Sequence, residues 1–466
     1  MWKRILNRKI SKFIFKRTYV THKNPFQRTI ECITSDIKYG IFNKAADKVY
    51  PEHADVVIIG GGFLGSSGAY WLKERAGEGL NVVVLDKNLG NLVEEKESMR
   101  VLSHHYSLPE NILLSQCSLD FMRNARRNLN LKDDIKYYPH GYLVLAGEKY
   151  AEVLEKNVSI LREFGIKNEL LSAEQLRKKY PWINTSDVKL GSLSTEGEGV
   201  YDCQALQRGM IKKSVELGAN YVNGEVVGFI MEDQKDVLME GVKPMSFQKL
   251  NKVVYKTKDN EERSIKFAIC VLAAASESSN IAKLANIGSH TGLLSVPLPI
   301  EQSLSNVYSI ENTGSQSQNI GISSPLVMDT TGLWLRRNGL NNNLLCGQIP
   351  LQSDKHLSEN DNYELLLKPS LQNRFHNLLD GKVTHKETEV FDCNTYDDSG
   401  ILGPHPYYTN LILAAGFGRS GIQHAPGIGK AISDLVIDFQ YTNIDLTRFG
   451  FDRILMHKPI VDFNIY

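Results

Sequence analysis

No apolar run in the 466-residue chain approaches the ~20 residues needed to cross a bilayer, so an integral membrane protein is not indicated. Cysteine is sparse: Cys32, Cys117, Cys203, Cys270, Cys346 and Cys393 are widely scattered and form no C-x-x-C pair. Neither a disulfide framework nor a zinc site is supported by that spacing. There is no repeat of fixed period and no low-complexity block, which excludes solenoid and tail-like architectures. The N-terminal stretch is both acid-free and basic. Lys3, Arg4, Arg8, Lys9, Lys12, Lys16 and Arg17 all precede the first acid, Glu31. Setting those seven charges aside turns the net charge of +1 into −6, and a mildly acidic body gives no footing for nucleic acid.

Ile5, Phe13, Ile14 and Phe15 interleave with these basic residues, the amphipathic acid-free pattern of a mitochondrial presequence over 1–21. Arg17-Thr18-Tyr19-Val20 resembles a matrix-protease cutting site. A secretory signal would need a continuous apolar centre and a small-residue cleavage site, and neither is present. The mitochondrial matrix is therefore the expected address, with reduced cysteines.

The central motif is the β-branched run Asp55–Ile59, three glycines and a helical pattern. Gly60, Gly62 and Gly65 fit G-x-G-x-x-G between a strand and a helix, where a pyrophosphate can sit at the positive helix end. Gly61, Phe63 and Leu64 belong to the same turn. A second strand, Leu80–Leu85, ends in Asp86, 26 positions after Gly60 and near the ~20-residue offset of a ribose-binding carboxylate. An α/β turn that binds nothing is the plain alternative.

Helix and strand patterns then alternate. A helix is predicted over 108–130, a strand at Tyr142–Ala146, and helices around Tyr150–Glu163 and after the cap Ser172, the latter halted by Pro181. Another helix runs from Asp202 to Leu217, and a strand covers Tyr221–Phe229. Val253–Lys258 and Ser264–Leu272 read as a meander. His104 and His105 point in different directions, so they cannot simply share a metal and read as surface or cleft-lining groups. Short strands fill 290–350, and a helical stretch covers about 360–379. Arg336-Arg337 could clamp a carboxylate, although adjacent arginines on a strand usually send one to solvent. Leu411–Ala415 runs into Gly416-Phe417-Gly418-Arg419-Ser420-Gly421, with a helix from Gln423 and Pro426 near its start. Two strand–glycine–helix junctions in one chain suit an extended cofactor, and FAD satisfies them better than NAD.

Taken together, these segments resemble the D-amino-acid oxidase-type flavoprotein superfamily, and within it the mitochondrial members tied to assembly of respiratory complex I. The most specific stretches are Tyr106–Ile112, Lys179–Thr185, Trp334–Leu340, Asn394–Asp397 with Gly403–Pro406, and Gln423–Gly429. The resemblance implies an α/β fold: a Rossmann-like FAD-binding domain with a discontinuous α+β substrate-type domain. The FAD domain would take 54–135, 191–288 and 395–448, the substrate-type domain 136–190 and 289–394. An arm over 22–53 and a C-terminal tail over 449–466 would complete the chain. Gly60, Gly62 and Gly65 would face the pyrophosphate, Asp86 the ribose, and the Val226 backbone the adenine. The ring would lie near Gly416, Phe417, Gly421, Ile422 and Gln423.

Three places depart from the family pattern. Glu94–Met99 is bulky and acidic where small residues usually pass the phosphates. Ala274-Ala275-Ser276 lacks the usual glycine and following tryptophan, and Gly418-Arg419-Ser420 replaces serine-glycine-histidine. A basic cluster expected near Gln302–Asn306 is also missing. Arg419 would either stabilise a reduced flavin or fill space at the ring. The losses gather at the ring end, so no catalytic acid or base and no metal ligand is assigned. Three functions follow: an FAD-holding factor whose partners are complex I subunits or assembly intermediates, a matrix dehydrogenase of a small amine or amino acid, or a cofactor-free scaffold. In the second, Arg336 or Arg337 would hold a substrate carboxylate and Tyr396 or His405 would line the site. Membrane association is peripheral at most, on the inner membrane.

Overall fold

The computed structural model describes residues 50–89, 99–131, 135–194, 196–239, 242, 245–289, 292–311, 320–339, 343–349, 363, 367–375 and 382–463. The presequence, nearly all of the arm, Glu94–Ser98 and much of the 360–379 stretch lie outside the described residues.

One sheet runs β17 (Ile401–Pro404), β18 (Leu411–Ala415), β11 (Glu262–Leu272), β1 (His53–Ile59), β2 (Val82–Asp86), β8 (Asn220–Asn223). An antiparallel flap of β10 (Gln248–Lys256) and β9 (Glu225–Asp233) extends from β11. β18, β11, β1, β2 and β8 are parallel, so both faces of the sheet must be covered, and their continuous Val/Ile/Leu runs meet that demand. Val56 and Ile58 pack on one side with Leu72, Ile428 and Ile432. Val57 and Ile59 pack on the other with Leu250, Val253 and Phe451. Each such fully buried side chain stabilises the fold by about 2 kcal/mol.

Four helices matter to the site: α1 (Phe63–Ala76), α2 (Pro109–Arg123), α3 (Cys203–Glu216) and α4 (Ser420–Ile437). α1 and α4 cross in close contact, because a Cβ on Gly429 would come within 2.2 Å of Ser67 Oγ. That contact fixes the two helix starts relative to each other. α4 begins at Ser420, three residues earlier than expected, so Pro426 stands inside the helix. The expected strand Tyr221–Phe229 is two strands broken at Gly224, where a Cβ would lie 2.4 Å from the Tyr255 ring.

The second sheet runs β16 (Lys382–Asn394), β12 (Ile300–Glu311), β15 (Asn343–Gln348), β14 (Leu333–Arg337), β13 (Leu326–Met328), β4 (Tyr142–Ala146), β6 (Leu190–Ser194), β5 (Asn168–Ser172). It is antiparallel except where β13 meets β4. β6 therefore pairs wholly within this sheet, although a division at 190/191 would assign it to the FAD domain. A ribbon of β3 (Val101–Leu102) and β7 (Gly199–Val200) completes the described strands. Ser172 caps its helix in a reciprocal capping box with Gln175, as its position in the sequence suggests.

Candidate functional site

The first glycine turn is built by packing at Gly60 and Gly65, by hydrogen bonds at Gly61, and left open at Gly62. Gly60 has φ +101°, and a Cβ there would sit 2.3 Å from the Ala273 carbonyl oxygen at the end of β11. A Cβ on Gly65 would meet the Gly60 carbonyl oxygen at 1.8 Å, so α1 starts directly on the turn. Gly61 donates its N–H to Asp86 Oδ2 at 2.8 Å and accepts from Gln207 Nε2 of α3 at 3.3 Å. Gly62, by contrast, has φ −63° and nothing within 4 Å of a built Cβ. The fold does not need a glycine there, whereas a group approaching the start of α1 does. No side chain caps α1, and its first turn carries no acid, so the helix end keeps its positive potential. Phe63 and Leu64 are half-buried on that first turn.

Asp86 Oδ1 also accepts the Asn88 N–H at 2.7 Å. Each carboxylate oxygen can accept a further bond, so a pair of ribose hydroxyls can still be held. The Gly224 N–H bonds the Asp86 carbonyl at 3.0 Å, which brings half-buried Val226 to the same corner.

The second junction opens at the same edge, because β18, β11 and β1 are parallel neighbours. Two strand spacings, about 10 Å, separate Gly416 from Gly60. In an open parallel sheet the crevice beyond the carboxyl ends of the strands is where ligands bind, and a dinucleotide can stretch between two such junctions. Phe417 turns inward, however, and packs edge-on against Phe449 with ring centres 6.0 Å apart. Gly421 lies against the Phe417 Cβ, and Ile422 packs on the cluster holding Tyr70 and Leu102. Gln423 is buried; its Oε1 accepts the Ser103 N–H at 2.9 Å and its Nε2 donates to the Tyr106 hydroxyl. The structure thus gathers the residues read as cofactor-binding along one edge, with the Phe417, Ile422 and Gln423 side chains engaged by protein.

The family described as FAD dependent oxidoreductase matches residues 55–435. The chain belongs to that family. A Drosophila melanogaster protein, FAD-dependent oxidoreductase domain-containing protein 1 homolog, is 37% identical over 468 residues, covering 98% of this chain and 89% of that protein. The Mus musculus FAD-dependent oxidoreductase domain-containing protein 1 is 33% identical, covering 94% and 92%. Among solved structures, L-proline dehydrogenase from P. horikoshii superposes with a TM-score of 0.69 at 19% identity, covering 88% of this chain and all of that one, which shows the fold. The family's cofactor is FAD, and the open space at Gly62, the uncapped α1 and the Asp86 carboxylate fit its adenosine diphosphate end.

Other expectations change. His104 and His105 are buried, which excludes the surface reading of the pair and leaves the cleft-lining one. The Ser115 hydroxyl donates to the Ile112 carbonyl at 2.7 Å, so it accepts from His104 Nδ1–H at 2.6 Å, which assigns that tautomer. His105 Nε2 accepts from Asn168 Nδ2 at 3.1 Å. Burial lowers both histidines, to about 4 and about 3, so both are neutral near pH 7. Arg336 donates to the Met99 and Arg337 carbonyls, and Arg337 to those of Gly339 and Ile320, so both guanidiniums are anchored to the backbone. His405 sits in the hairpin before β18, at the opposite edge from the glycine turns, and its Nδ1 accepts the Tyr407 and Tyr408 N–H groups. It does not line the site. Tyr396 is half-buried against the core of the first sheet.

Glu198 gave no signal in the sequence, yet it is fully buried beside this seam. The Ser103 and Ser194 hydroxyls and the His104 N–H face its carboxyl, but neither oxygen has a partner within hydrogen-bond geometry. His105 Nε2 is 4.0 Å away. Burial pushes the carboxyl up to about 8, which makes it a neutral acid at pH 7. Among the described residues no group of three or more His, Cys, Asp or Glu side chains could hold a metal ion.

Proposed function

We propose that this chain is a mitochondrial matrix protein acting in assembly of respiratory complex I, in which FAD serves as a structural cofactor. The observation that carries this reading is the contrast between the two ends of one cofactor edge. The adenosine diphosphate end is open at Gly62 and uncapped at α1, while at the ring end Phe417, Gln423, Arg336 and Arg337 are engaged by the protein's own groups. Bound FAD supplies a two-electron acceptor suited to a hydride from a C–N bond. Among the described residues, the buried histidines His104 and His105 are held neutral and hydrogen-bonded rather than presented as an acid or base for such a transfer. The partners would be complex I subunits or assembly intermediates, met in the matrix or at the inner-membrane surface, and no described helix is long and apolar enough to cross a membrane.

The test has two arms. Depletion should lower assembled complex I, and re-expression of the full chain should restore it. Purified protein should carry FAD whose absorbance is not bleached anaerobically by sarcosine, dimethylglycine or a D-amino acid. Rapid bleaching by one of these amines, with complex I unaffected by depletion, would establish an amine dehydrogenase instead.

A further inference from the structure

The amides of the second glycine junction are held by a carboxylate of the opposite sheet. Asp392, near the end of β16, is buried, and its Oδ2 accepts the Gly416 N–H at 2.5 Å. Its own carbonyl accepts the Gly418 N–H at 2.9 Å, and Cys393 forms a bridge with Phe417. The turn has little freedom to move off: Gly416 has φ +78°, and a Cβ there would meet Ile300 Cδ1 at 2.6 Å. Burial lifts Asp392 to about 6, while the Gly416, Phe417 and Gly418 amides hold it down, so the group is ionised above neutrality. Arg419 lies over the Phe391 ring, 4.8 Å from its centre. Phe391 and Asp392 are consecutive on a strand and point to opposite faces, so the guanidinium sits across β16 from the carboxylate. On neighbouring elements, β12 places Gln302 opposite Asp392 and Glu301 beside it. The short turn Ala275–Glu277 brings Glu277, ion-paired with Lys87 at 3.4 Å.

We propose that Asp392 sets the charge at the ring end of the FAD site, offsetting the positive start of α4 and keeping bound FAD hard to reduce. Two electrons and one proton convert FAD to FADH⁻, placing a negative charge on the ring. A helix N-terminus and free amides stabilise that charge, and a carboxylate seated among them opposes it. The proposal rests on the structural-cofactor reading and gives it a physical cause.

The experiment uses the full chain loaded with FAD. Wild type, Asp392→Asn and Asp392→Ser are reduced stepwise with dithionite at pH 7.5 beside reference dyes, and midpoint potential and FAD per chain are measured. Both neutral variants should keep FAD and shift the potential positive by similar amounts. An unmoved or more negative potential overturns the proposal. So does loss of FAD from variants that remain folded by circular dichroism, since the carboxylate would then only fasten the turn. Amine turnover by the wild type would refute the structural-cofactor reading alone, and a wild type that takes up no FAD would remove both.

Discussion

Replacing Glu198 by glutamine should stabilise the protein, increasingly so as pH rises. The carboxyl is fully buried, and its two oxygens find no partner within hydrogen-bond geometry, so ionising it is opposed by desolvation. Its folded value of about 8 lies above the ordinary 4.5 of a glutamate. The folded state therefore binds this proton more tightly than the unfolded chain. The resulting stability is fully present below pH 4.5, declines as pH rises, and is gone above about 8. At ~1.4 kcal/mol per pH unit, the carboxyl costs the fold about 3 kcal/mol by pH 7. Glutamine keeps the shape and cannot ionise. Urea denaturation of Glu198→Gln and wild type between pH 6.5 and 8.5, in saturating FAD, should give a stability difference that grows by about 1.4 kcal/mol per unit up to pH 8 and then levels. His104, His105 and His424 are lowered by burial to about 4, 3 and 3, so they stay neutral in both folded proteins over this window and cancel in the difference. A flat difference, or a variant less stable than wild type at pH 8, would refute the neutral buried acid.

Gly62→Glu should abolish FAD binding and leave the apoprotein's stability within about 0.5 kcal/mol, because no atom lies within 4 Å of a Cβ there. Wild type should gain about 2.7 kcal/mol at FAD a hundredfold above its Kd, and the variant none; equal gains in thermal shift would remove the assigned cofactor edge. Ala275 holds φ +48°, a conformation that glycine adopts without a Cβ penalty, so Ala275→Gly should stabilise by about 0.5–1 kcal/mol, read as a higher urea midpoint at unchanged m. Asp462 accepts the Ser107 N–H, the Ser107 hydroxyl and Asn111 Nδ2, each at 2.7 Å, at the start of α2, where Leu108 offers no cap. Asp462→Ala should cost about 1–2 kcal/mol and speed hydrogen exchange at residues 103–112. Unaltered exchange there would show that the tail does not hold this segment.

The sequence displayed the parts of the fold that depend on local pattern. Asp55–Ile59, Leu80–Leu85 and Leu411–Ala415 each read as buried strands because a parallel sheet covered on both faces needs apolar side chains at every position. Glycine turns following two of them revealed the cofactor edge. Long-range pairing was hidden. β6 could be assigned to either sheet, since Leu190–Ser194 has the same composition whichever neighbours it finds. Asp462 bonding Ser107 and Asn111 at the start of α2, from some 350 residues away, leaves no local trace. Glu198, between two glycines in an otherwise polar loop, carries no local mark of its burial.

The histidine pair shows why the ring end was hard to read. On composition alone, His104-His105 suits metal binding, acid–base work or an exposed turn. What decides among them is which hydrogen-bond partners arrive from other elements. Ser115 comes from α2, Asn168 from β5, and Gln423 reaches Ser103 and Tyr106 from α4. Each removes a lone pair or a proton that chemistry would need, and burial then keeps the rings neutral. General acid–base work needs a titratable group facing its substrate with a pKa near the operating pH. Among the described residues, Glu198 at about 8 and Asp392 at about 6 face the protein's own hydroxyls and amides. Polar groups committed inward in this way make the seam between the sheets specific in structure.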